Sequence, residues 1–133
     1  MIDVQSQVFT IIKYGIPSSI KDKSEYRGLT FTTSKKVADN PSFPCVYIHY
    51  LGGSEIGVDF ECDEVNGILA NIQIDIYDNE GHDRISTLEN YIVKVMKSIG
   101  FHSTMLPYPD DNGSVYRSIM RFRRAIGSEI ETL

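Results

Sequence analysis

Very little in this 133-residue sequence points to covalent chemistry or to a membrane. There are two cysteines, Cys45 and Cys62, too few for a disulfide framework. Three histidines, His49, His82 and His102, lie far apart, and none has a second ligand at a spacing typical of zinc. No apolar stretch approaches the ~20 residues a membrane span requires. The N-terminus has no basic region followed by an apolar core, so a secretory signal is not expected and a reducing cytoplasm is the expected place of synthesis. Basic residues are also in the minority: 13 Lys and Arg against 18 Asp and Glu give a net charge of −5. A dedicated nucleic-acid binder would carry the opposite balance, because such affinity comes largely from neutralising phosphates. No glycine loop suited to phosphate is present either, since Gly52-Gly53 is followed by Ser54 and Glu55 rather than lysine.

What is present is ordinary globular composition, 41% hydrophobic and 23% charged, which argues against disorder as a description of the whole chain. The length fits one domain, residues 1–133. There is no internal repeat or low-complexity tract. Val4, Val8, Ile11 and Ile12 are spaced as one face of a helix from Asp3, a candidate N-cap, to Tyr14, with Gly15 and Pro17 as a stop. Residues 18–42 read as a long, polar, lysine-rich connection holding one short strand around Leu29 and Phe31. Cys45 to Leu51 alternates as a strand that Gly52-Gly53 ends.

Ile68 to Tyr77 is the clearest strand. Ile68, Ala70, Ile72, Ile74 and Ile76 take one face, while Asn71, Gln73 and Asp75 take the other, toward water or a polar interface. His82 to Ile99 carries a single apolar stripe of Ile85, Leu88, Ile92, Val95, Met96 and Ile99, with Gly100 as its C-terminal cap. Val115 to Ile126 is a last strand, and Phe101 to Leu106 pairs with it as a hairpin. The order predicts an α+β domain: a mostly antiparallel sheet of four to five strands with two main helices packed on one face.

Two charged segments are candidates for function. Gly52 to Asn66 holds Glu55, Asp59, Glu61, Asp63 and Glu64 with no base among them, and Ile56, Val58 and Phe60 alternate through it. A solvated hairpin tip accounts for it as well as a projecting acidic arm does. The final strand carries Arg117, Arg121, Arg123 and Arg124. Arginines there either pair with surface carboxylates, contributing little, or meet the acidic arm of a neighbouring subunit in a head-to-tail ring.

Catalysis finds no comparable support. Cys45 starts a strand beside Pro44, and Cys62 sits among carboxylates that oppose a thiolate. A hydrolase built from His49, Asp75 and Cys45 needs all three on the sheet's outer face, which their parity permits. A nucleic-acid adaptor using the arginine strand is opposed by the net acidity.

Several strings in order resemble the tail-terminator, or tail-completion, proteins of long-tailed bacteriophages. They are Phe43-Pro44-Cys45-Val46, Ile74-Asp75-Ile76-Tyr77-Asp78-Asn79, Ile99-Gly100-Phe101, and Tyr116-Arg117-Ser118-Ile119-Met120-Arg121-Phe122-Arg123. The resemblance covers about Phe43 to Ile126. It implies a virion protein without catalysis or cofactor, assembled in the host cytoplasm as a hexameric ring. That ring would cap the tail tube, end its growth and dock with the head connector, with DNA passing through unbound. Another neck or head-closure protein is the neighbouring alternative. The lysine-rich stretch from Lys21 to Lys36 matches no part of that pattern.

Overall fold

The computed structural model describes residues 3–35, 42–58, 65–111, 113–127, 130 and 132–133. Helix α1, Val4–Gly15, starts where Asp3 accepts a hydrogen bond from the Ser6 N–H (3.1 Å), and it buries Val4, Val8 and Ile12. A short helix α2, Ser18–Lys21, and a 3-10 turn, Ser24–Tyr26, lead into strand β1, Thr30–Thr32. The polar connection expected here is therefore partly structured, anchored by the buried Ile20 and Tyr26.

Strand β2 runs Cys45–Val58 and strand β3 runs Val65–Asp78. They are followed by helix α3 (Asp83–Ser98), strand β4 (His102–Pro109) and strand β5 (Tyr116–Gly127). One five-stranded sheet results, in the order β1-β2-β3-β5-β4. Every pair is antiparallel except β1 with β2.

The expected stop at Gly52-Gly53 is incorrect. Gly52 adopts φ +105°, the register shifts between Tyr50 and Gly52, and pairing then continues to Val58 opposite Val65. The glycine absorbs a bulge instead of breaking the strand, because positive φ is open to it at no steric cost. A hairpin arm is thus built on both sides of residues 59–64. Those residues, including Asp59, Phe60, Glu61, Asp63 and Glu64, lie outside the described set.

The helices cover one side of the sheet. Ile48 and Val46 on β2, Ala70, Ile72, Ile74 and Ile76 on β3, and Met120, Phe122 and Ile126 on β5 meet Ile85, Leu88, Ile92 and Met96 of α3 and the apolar face of α1. Gly100, at φ +84°, closes α3 as its position predicts, and the Phe101 N–H returns to the Met96 carbonyl at 3.0 Å.

Candidate interaction face

Among the described residues no helix covers the opposite face of the sheet. The period-two alternation of β3 and β5 places Asn71, Gln73, Asp75 and Tyr77 directly across from Arg123, Arg121, Ile119 and Arg117. Adjacent strands then let long side chains bond across and along the ladder. Arg121 Nε donates to Gln73 Oε1 (2.9 Å), and Arg123 Nε donates to Asn71 Oδ1 (3.0 Å). Arg117 lies over the Tyr77 ring, 5.5 Å from its centroid, and reaches diagonally to Asp75 Oδ2 at 2.8 Å.

Asp75 is the centre of this network and is only 1% exposed. Gln73 Nε2 donates to its Oδ1 (3.0 Å), and the Tyr77 hydroxyl donates to its Oδ2 (3.3 Å). The His49 imidazole, stacked on Tyr47 with ring centroids 4.4 Å apart, stands 3.8 Å away. Burial pushes the Asp75 carboxyl up, but the polar hydrogens of His49, Arg117 and Gln73 and the Arg117 charge outweigh it, so the net shift is downward. At 2.8 Å against 3.8 Å, Arg117 is the stronger of the two cationic candidates. Tyr77 moves the other way, to about 12, through burial and then the neighbouring Asp75 charge.

These pairings leave the face positive in a specific place. Arg117 is neutralised by Asp75 and by Asp110 at 3.1 Å. Arg121 and Arg123 are held by neutral amides and make no ion pair among the described residues. Both are exposed and fixed in direction, with no carboxylate among the described residues at ion-pair distance. Arg124 has the opposite parity. It sits on the helix side over Gly100, at the C-terminal end of α3, and so does not join the other three.

The His49–Asp75 adjacency that strand parity allowed does form. Cys45, however, is completely buried, and burial raises its thiol to about 11, far from a thiolate at neutral pH. Asp75 is already committed to Arg117, Gln73 and Tyr77. Among the described residues no group of three or more His, Cys, Asp and Glu is placed to hold a metal. No helix among them is long and apolar enough to cross a membrane.

The network around Asp75 is not legible in the sequence. Asn71-x-Gln73-x-Asp75 reads as a polar face, and only the cross-strand register reveals that Arg117 buries its last member.

No family model matches this chain, and no curated protein matches it.

Proposed function

We propose that this chain is a structural subunit of a long-tailed phage virion. In this reading it assembles head-to-tail into a ring, hexameric by resemblance, at the junction of tail and head. The ring caps the tail tube, ends its polymerisation and joins the head connector, while DNA passes through its lumen. The observation that carries the reading is the open sheet face with Arg121 and Arg123 held in fixed directions by neutral partners. A face of this kind suits a carboxylate-bearing partner.

The same chain supplies a matching element. In sequence, Glu55 falls within β2 and Asp59, Glu61, Asp63 and Glu64 fall between β2 and β3, far from the arginines of β5. Pairing in cis would need no ring; pairing in trans makes a heterologous contact, which closes into a ring when its rotation permits. The strings shared with tail terminators fall on the structural core of this arrangement: the start of β2, the end of β3, the end of α3 and most of β5. The lack of an excess of basic residues suits a conduit that DNA must traverse without sticking.

The test is assembly mass and tube capping. Arg121→Glu with Arg123→Glu is expected to abolish ring formation while leaving the monomer folded by circular dichroism. Unchanged assembly would refute the proposed contact. Association with DNA-filled heads and not with tail tubes would transfer the protein to the head side of the neck.

A further inference from the structure

A second charged complement lies at the other edge of the sheet, on the helix side. A cleft of about 430 Å³ opens between the first half of α3 and the β4–β5 hairpin. Ser118 lines it; this residue is 1% exposed, and its hydroxyl has no hydrogen-bond partner among the described residues. Tyr108 with Pro107 and Pro109 forms one wall, and Glu89 of α3 stands on the opposite one. The end of the cleft is fixed by His82, which contacts Asp111 at 2.9 Å and meets the Tyr116 ring edge-on at 5.3 Å.

Asp111 is occupied, since it holds His82 and also accepts the Arg117 N–H at 3.1 Å. Those two hydrogen bonds, His82 first, shift its carboxyl downward. Glu89 is different: half-buried, it makes no ion pair or side-chain hydrogen bond among the described residues. A free carboxylate, an aromatic wall and a buried hydroxyl lacking a partner together form a receptor for a cationic side chain. The carboxylate supplies charge, Tyr108 a ring face and Ser118 an acceptor oxygen.

The chain carries such cations at the opposite edge. Lys23, Arg27 and Lys35 flank β1 and are exposed, and their side chains make no hydrogen bond or ion pair among the described residues. Lys21 differs, being tied to the Lys13 carbonyl at 2.9 Å. Strand order makes β1 and β4 the two edges of one sheet. Register also puts the entry to β1 and the cleft at the same end of the strands. Thr30 pairs with Cys45, Cys45 with Tyr77, Tyr77 with Arg117, and Ser118 with Pro109. A cation at one edge and its receptor at the other, at the same height, cannot meet within one subunit but can meet between successive ones.

Building on the ring reading, we propose that the Glu89–Tyr108–Ser118 cleft receives a basic side chain from the Lys23–Lys35 segment of a second copy of this chain. This gives the lysine-rich segment a role and adds a second contact to the ring interface. The hairpin arm serves one end of the strands, and this contact serves the other.

Charge exchange tests it. Glu89→Lys and the triple variant Lys23→Glu, Arg27→Glu, Lys35→Glu are each purified and compared with wild type by light scattering and thermal melting. Each alone places like charges across the contact and is expected to weaken self-association by at least about tenfold. Mixed in equal amounts, the two variants can alternate around the ring with every contact complementary, and assembly is expected to return. Glu89→Gln, nearly isosteric, is expected to weaken association less and guards against misfolding as the cause. If wild type assembles and the variants assemble equally well, the cleft contact is refuted and the ring stands. Loss in each variant without recovery on mixing also refutes the pairing. A wild type that is monomeric both alone and with tail tubes overturns the ring and this contact together.

Discussion

Replacing Arg117 by Ala should turn the Asp75 carboxylate from a stabilising centre into a destabilising one. Asp75 is 1% exposed, and its shortest contact is the 2.8 Å bond from Arg117. Removing one partner of a fully buried pair costs about 3–5 kcal/mol. The Arg117 side chain retains 29% exposure, so water screens part of the pair and can enter the space left behind. The expected loss is thus about 2–3 kcal/mol, and Gln73 and Tyr77 remain as neutral donors. For a domain of this size that lowers the melting temperature by about 7–11 °C.

The pH dependence gives a sharper signature. In the wild type the folded-state carboxyl lies below its unfolded value of 3.8, so its contribution is fully present above that pH. It is lost as pH falls through the depressed folded-state pKa. Without Arg117 both its hydrogen bond and its charge are lost, and desolvation, the largest single effect on this carboxyl, is expected to outweigh His49 and Gln73 and raise the folded-state pKa above the unfolded one. The variant should then gain stability on acidification from neutral toward pH 4, where the wild type does not. Urea unfolding of both proteins between pH 3.5 and 7, completed with Asp75→Asn and the double variant, measures this and the coupling between the two residues. Parallel pH profiles with a loss under about 0.5 kcal/mol would refute a buried, Arg117-dependent carboxylate.

Three further outcomes follow from the packing and burial. Ile74→Ala, fully buried on the helix-covered face of the central strand β3, should cost about 3–4 kcal/mol in urea unfolding. Gly67→Ala should cost about 1–3 kcal/mol, because the added carbon would stand 2.4 Å from the Ile126 carbonyl oxygen and the β3–β5 ladder must give way. In a Cys62→Ser background, Cys45 should resist a thiol reagent at pH 8 in the native protein and react at once in denaturant; rapid native labelling would contradict its burial.

Periodicity carried most of the fold. The isoleucines of β3 and the stripe on α3 identified the core faces correctly, since each element buries one side and the period records it. Gly100 and Asp3 marked helix ends because capping depends on local backbone geometry that single residues report. Three features were not legible for a common reason: each depends on a partner far away in sequence. Gly52-Gly53 looks like a terminator, yet β3 holds the strand together across a bulge. The short strand β1 joins β2 in parallel, which no local pattern specifies. Asp75 looks like a solvent-facing residue until the register brings Arg117 over it.

The candidate face was half legible. Alternation separated Arg117, Arg121 and Arg123 from the core, and the same parity assigns Arg124 to the helix side. Sequence alone did not distinguish the arginine that is neutralised from the two that are not. That distinction comes from Asn71 and Gln73 being amides at positions where carboxylates would have cancelled the charge.

The most direct test of the ring account is the mass of the purified protein, alone and mixed with tail-tube polymer, by light scattering with negative-stain imaging. The account predicts a six-subunit ring, or tubes that stop growing with such a ring at one end. A protein that stays monomeric at every concentration and leaves tube growth unchanged would contradict it.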